Sequence, residues 1–259
     1  MNRVNLLLTT CSAFVLLAGC SNTATKEPEA AKKAPEPVSY FKPDPATAGT
    51  LTGTVKFSGK KPARTVIDMN QDPACVAARK GRTTDESEIV NANGTLADTF
   101  IYIKSGLEGK KFEPPSTPVV LDQNGCWFRP HVIGIQTMQV MSVTNSDPVT
   151  HNIHPIAQVN REWNQSMSQG DAPLARKFVR PEIMIKVKCN VHNWMRAYIG
   201  VVDHPYFAVS GDNGSFQIPN VPPGDYTLEA WQEKLGTQEQ KVTVGPSGKV
   251  EVVFAFKGE

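Results

Sequence analysis

Apolar and polar residues alternate with a period of two along most of this chain, in short runs that end at Gly, Pro, Asn or Asp. That period puts successive side chains on opposite faces of an extended strand. Leu51 to Phe57 alternates cleanly and stops at Ser58-Gly59. Thr99 to Lys104 reads as a strand, and Val132 to Asn145 as two strands around Thr137-Met138-Gln139. The clearest alternation runs from Ile183 to Cys189, with Ile183, Ile185, Val187 and Cys189 on one face and Lys186 and Lys188 on the other. From Asp212 to Phe256 the pattern predicts a turn at Asp212-Asn213-Gly214 and a strand over Ser215 to Ile218. A second turn follows at Pro222-Pro223-Gly224, then strands over Tyr226 to Trp231 and Lys249 to Phe256. Only Asp72 to Lys80 reads as a short helix. Strands at this spacing predict an all-β sandwich or barrel.

Composition narrows the class. With 259 residues the chain can build one large domain or two small ones. Pro 20 and Gly 19, without any long helical periodicity, exclude a bundle, a coiled coil and a polytopic membrane protein. The formal net charge is +2, with no basic block longer than a pair, so nucleic acid is not an expected partner.

The first nineteen residues stand outside the β pattern. Arg3 precedes an apolar run from Leu6 to Leu17 that is too short for a membrane span and reads as an export signal. It closes on Leu17-Ala18-Gly19-Cys20, which resembles the lipobox of bacterial lipoproteins. The resemblance implies cleavage before Cys20, lipidation of that residue and an extracytoplasmic, membrane-tethered protein. Ser21 after the Cys resembles outer-membrane sorting, on the periplasmic side or at the cell surface. Residues 20–49, rich in Pro, Ala and charge, read as a semi-extended spacer.

Five cysteines then sort themselves. Cys11 leaves with the signal and Cys20 takes lipid. Cys75 and Cys126 lie beside turn residues with no His within four positions, so they read as a disulfide. Closing a loop of roughly fifty residues is worth roughly 4 kcal/mol in the chain-entropy model. Cys189 is left over, which in an oxidising compartment needs a reason.

Cys189-Asn190-Val191-His192-Asn193-Trp194-Met195 supplies one. A thiolate, an imidazole three residues on and a thioether three further on can close round one soft metal ion. Copper in electron-transfer sites takes two His, a Cys and a weak axial Met. His151 follows a predicted strand and the turn Ser146-Asp147-Pro148, which places it to complete the set. Phe128-x-Pro130, the strand through Val140, Asn145-x-Asp147, His151-Asn152 and the Cys-x2-His-x2-Met loop together resemble a cupredoxin, with the loop spacing of amicyanin. The resemblance implies a Greek-key β-sandwich over 50–204, His151, Cys189 and His192 as equatorial ligands and Met195 as axial ligand of one mononuclear type 1 copper. It also implies one-electron exchange with redox proteins such as c-type cytochromes or a terminal oxidase. His154 has no place in the family pattern and is expected beside the site rather than in it. His131 and His204 are expected at the surface, and Trp194 beside an exposed His192.

Within Asp212 to Phe256, Gly214-x-Phe216 and then Pro222-Pro223-Gly224-x-Tyr226-Thr227-Leu228 resemble the carboxypeptidase regulatory-like, transthyretin-like β module, which implies such a module over 205–259, with no peptidase machinery beside it. Leu51 to Phe57 could supply its first strand. No nucleophile–His–acid arrangement or phosphate loop stands out, so the chain is not expected to be an enzyme. The alternatives are a copper carrier or sensor using the same ligands, a zinc site, and a structural or carbohydrate-binding lipoprotein.

Overall fold

A computed structural model of the chain describes residues 38–79 and 83–258. The expected export signal, Cys20 and the spacer up to residue 37 lie outside the described residues. Ser39–Glu259 forms one unit, almost entirely β. In chain order the elements are β1 (Gly49–Ser58), α1 (Pro73–Ala78), β2 (Phe100–Ser105), β3 (Val119–Gln123), β4 (Phe128–Arg129), β5 (Val132–Gln136), β6 (Met141–Asn145), β7 (His151–Ile156) and β8 (Gln165–Met167). The remainder are β9 (Leu174–Arg176), β10 (Glu182–Lys188), β11 (Arg196–Val202), β12 (Phe207–Val209), β13 (Ser215–Val221), β14 (Gly224–Gln232), β15 (Gly236–Val244) and β16 (Lys249–Lys257). No helix among the described residues is long and apolar enough to cross a membrane.

The strands make two sandwiches. In the first, a sheet ordered β5-β11-β10-β7-β8 faces one ordered β4-β3-β6-β9. The alternating residues of both, among them Leu121, Ile135, Val143, Ile153, Ile185, Val187 and Ile199, close one core together with Trp127. In the second, β13-β1-β16 faces β12-β2-β14-β15, with Leu51, Val55, Ile103, Ile218, Leu228 and Phe254 inside. A smaller cluster of Phe100, Tyr102, Val132 and Val202 joins the two. There Gly134 and Gly200 admit the rings of Phe207 and Phe100, which a Cβ at either glycine would overlap.

Several expectations change at this level. Leu51 to Phe57 pairs antiparallel with β13 and parallel with β16, so it belongs to the second sandwich. The strand at Thr99 to Lys104 goes there as well, between β12 and β14. A division at 204/205 therefore does not follow the hydrogen bonding. The first sandwich is the continuous stretch 119–202, and the second collects three distant segments. The alternation expected from Ile183 starts only at Ile185: Met184 takes φ 59° and the register shifts between Glu182 and Ile185. That bulge turns Ile183 toward the cluster between the sandwiches. The expected spacer also ends early. Phe41 donates its N–H to the Lys111 carbonyl and sets its ring edge-on to Phe112 at 5.6 Å, so the chain is seated on the second sandwich before β1 begins.

The short helix forms as expected. Asp72 caps it, its Oδ1 accepting from the Ala74 and Cys75 amides at 3.0 and 3.3 Å, and Pro73 opens the first turn. Cys75 on this helix is joined to Cys126, which ties the helix to the first sandwich, and Cys189 is free and buried.

Candidate metal centre

Adjacent antiparallel strands bring the expected residues to one end of the first sandwich. His151 opens β7, and Cys189 follows the last residue of β10, whose Lys188 lies opposite His154. The turn from Cys189 to Met195 is closed by its own backbone. The Cys189 amide donates to the Met195 carbonyl at 3.1 Å, and the Met195 amide to the His192 carbonyl at 3.0 Å. Asn152 splices the two segments: its Oδ1 accepts from the Asn190 amide at 3.0 Å. The sulfur of Cys189 accepts from the amides of Asn152 and His192, both at 3.4 Å.

Three donors converge. Nδ1 of His151 lies 3.0 Å from Nδ1 of His192, and Cys189 Sγ lies 3.8 Å from the latter. The ligand atoms of all three residues fall within 4.8 Å of one another. Met195 closes the same turn, fully buried. The outer nitrogens explain the orientation of the rings. Nε2–H of His151 donates to Asp147 Oδ2 at 2.8 Å, and Nε2–H of His192 to Asp72 Oδ2 at 3.0 Å. With both outer nitrogens protonated, the two Nδ1 lone pairs point at each other and at the sulfur, an arrangement that requires a proton or a metal cation between them.

The charges agree with that requirement. Burial pushes the Cys189 thiol up, but the hydrogen bonds from His151 and from the amides of His192 and Asn152 outweigh it and lower its pKa to about 6. Burial pushes His151 down, while Asp147 and Cys189 raise it to about 9. Burial pushes Asp147 up, yet His151 and the amides of Cys126 and Gly125 hold it below the usual carboxylate range. The shifts of Cys189 and His151 both run in the direction of a thiolate beside an imidazolium in the metal-free pocket. A soft cation held by these residues would take the place of that proton without leaving an orphaned group.

The site is closed. His151 and Met195 are 0% exposed, and Cys189 and His192 3%. His192 is therefore not the exposed ring expected from the sequence. Asp72 and the disulfide-tied helix lie over it, with Cys75 Sγ 3.6 Å from its Nε2. Trp194 packs against the same imidazole at 5.1 Å between ring centroids and donates its Nε1–H to the Cys126 carbonyl at 3.1 Å. His154 stays out of the cluster, bonded to Glu162 at 2.5 Å. His131 and His204, expected at the surface, are buried. His131 contacts Glu233 at 2.8 Å, and His204 donates to the Ile103 carbonyl at 2.9 Å. The two orienting carboxylates escaped notice as functional residues. Asp147 carried a signal, four residues before His151. Asp72 had only its proximity to Cys75.

A family model described as polysaccharide lyase family 4, domain II, matches residues 179–252, a stretch that begins in the first sandwich and ends in the second. No curated protein matches the chain. Among solved structures the chain is similar to the copper-containing nitrite reductase of Thermus scotoductus SA-01, at 21% identity and a TM-score of 0.32 over 39% of this chain and 25% of that one. It thus spans about a quarter of that enzyme. It is also similar to an oxidised amicyanin mutant, at 16% identity and a TM-score of 0.30 over 39% of this chain and 97% of that one. A purple cupredoxin from Nitrosopumilus maritimus shares 20% identity, with a TM-score of 0.28 over 33% of this chain and 99% of that one.

Proposed function

We propose that this chain is a type 1 copper protein that carries single electrons between extracytoplasmic redox proteins, such as c-type cytochromes or a terminal oxidase, while tethered to a membrane through Cys20. One observation carries the reading: two imidazole Nδ1 atoms and one thiolate sulfur converge in a buried pocket, each ring held by a carboxylate on its far nitrogen. Thiolate and imidazole suit copper, and zinc lies below copper in affinity for the same ligands. His151, Cys189 and His192 would hold the ion, with the Met195 thioether as a weaker fourth donor. Copper supplies a couple between two oxidation states differing by one electron. The chain's own residues do the rest. Asp147 and Asp72 fix the rings, the amides of Asn152 and His192 stabilise the thiolate, and the cover over His192 keeps water out. A carrier has to hand its ion over, and four buried ligands under a disulfide-tied lid favour retention instead.

The test is an absorption spectrum of the oxidised, copper-loaded protein. An intense thiolate-to-copper band is expected in the visible, absent from Cys189→Ser and altered in His151→Ala and His192→Ala. His154→Ala should leave it nearly unchanged, and Met195→Leu should keep the colour and raise the potential. Stoichiometric zinc in the isolated protein, with copper taken up without colour, would overturn the reading.

A further inference from the structure

We propose that the cleft beside the Cys189–Met195 turn is the docking surface for the acidic face of a protein partner. Partners cannot reach the pocket through His192, which lies under Asp72 and the helix tied down by the disulfide. Another side of the turn borders a surface cleft, although Cys189 and Met195 themselves stay buried. A cleft of about 660 Å3 runs along Cys189, Asn190, Asn193 and Met195, in the corner between the outer face of β10–β11 and the β14–β15 turn of the second sandwich.

Its charge is one-sided. Lys186 and Lys188 project from the same face of β10, two residues apart, and Lys234 faces them from the β14–β15 turn. The carboxylates in the cleft, Asp85 and Glu233, are both taken by Arg196, at 2.5 and 2.9 Å. Glu233 also meets His131 at 2.8 Å. Among the described residues the three lysines form no ion pair. They leave a cationic rim around a polar, uncharged lip of Asn190 and Asn193. Two lysines held on one strand face repel each other unless an anionic surface approaches. A small, charge-steered contact of this kind suits a short-lived encounter, for which interfaces lie at the low end of protein–protein areas. That the partner is a redox protein rests on the electron-transfer reading. The cationic docking site does not, since none of its lysines belongs to the pocket.

The experiment titrates the metal-free protein, residues 21–259, with a c-type cytochrome whose haem edge is ringed by carboxylates, and follows amide NMR signals. Saturable shifts are expected at Lys186, Lys188, Asn190 and Lys234, with affinity falling about tenfold or more between low and physiological ionic strength. Lys186→Glu/Lys188→Glu/Lys234→Glu should weaken binding by about ten- to a hundredfold, and the same three lysines changed to Gln by less. Lys56→Glu/Lys249→Glu/Lys257→Glu has the same net charge on the second sandwich and should bind like the parent. Equal losses in the two Glu variants would reduce the effect to net charge and overturn the proposal. Unchanged binding in the cleft variant would overturn it as well. So would shifts in the cleft with hexacyanoferrate but not with the cytochrome, which would make it a small-anion site. A copper-loaded protein that lacks the thiolate band yet keeps the lysine-dependent docking would end the electron-transfer reading and leave the docking site standing.

Discussion

The two sandwiches use the same construction and differ in where they bury polar groups. In the second, such groups are scattered, and several meet an ordinary need. Ser210 donates to the Leu96 carbonyl at 2.8 Å, and Tyr226 to the Pro222 carbonyl at 2.7 Å. Glu229 accepts from Tyr102 at 2.8 Å and from Lys104 at 2.6 Å. In the first, Asp147, His151, Asn152, Cys189 and His192 are buried together at one end. Burying so many polar groups is costly unless each finds a partner, and here the partners come from the set or from beside it: Asp147 meets His151, the Cys189 sulfur meets the Asn152 amide, and His192 turns its outer nitrogen to Asp72. One sandwich is thus given over to packing, while the other also gathers polar side chains in a closed pocket. The cluster at Phe100, Tyr102, Val132 and Val202 lets the first lean on the second.

This contrast can be broken at four points. The largest effect belongs to the packing half. Phe254→Ala, which empties a fully buried ring position, should destabilise the protein by about 3–5 kcal/mol in denaturant unfolding. The metal-bound spectrum of the protein that remains folded should be unchanged; a spectral shift would mean the pocket is not independent of that core. Asp147→Asn, at the polar end, should lower metal affinity by about 10- to 100-fold in a competitive chelator titration, because the His151 ring loses its charged anchor. Unfolding of the metal-free Asp147→Asn protein should move much less than that of Phe254→Ala.

Gly200→Ala tests the joint between the halves. Its methyl would overlap the Phe100 ring and cost about 1–3 kcal/mol of overpacking. Calorimetry should then resolve two unfolding steps where the parent shows one. The smallest effect is one of pH. Burial holds His204 below its ordinary value of 6.5, with Nε2–H given to Ile103 and Nδ1 accepting from the Tyr206 amide. The folded state therefore keeps this ring neutral where the unfolded chain protonates it. Its contribution is present above 6.5 and is lost as pH falls through the lower folded value. Thermal unfolding should show a fall in Tm below pH 6.5 that is shallower in His204→Gln. Parallel pH profiles for parent and variant would place the buried titration elsewhere.

Much of this molecule is written in short-range pattern. A period of two within a single run was enough to locate β1, β2, β5, β6, β10, β13, β14 and β16. The cluster of His151, Cys189 and His192 could be anticipated because Cys189 and His192 share one seven-residue turn with Met195 and His151 begins the strand beside it. β15 was missed because its sequence, Gly-Thr-Gln-Glu-Gln-Lys-Val-Thr-Val, offers few apolar residues to alternate, since one of its faces is left to water.

Tertiary structure decided whatever depends on residues far apart meeting. Whether Leu51 to Phe57 and Phe100 to Ser105 join the first or the second sandwich is settled by backbone pairing with strands more than a hundred residues away. Those donors and acceptors look alike in every run of the sequence. The same holds for the pocket. Nothing near His192 announces Asp72, 120 residues earlier, as the carboxylate that turns its Nδ1 inward and closes it to solvent. A strand's period and a ligand's chemistry are properties of adjacent residues and can be read locally. Desolvation, charge partnership and access to the site are properties of what is packed around a residue, and only the folded chain determines them.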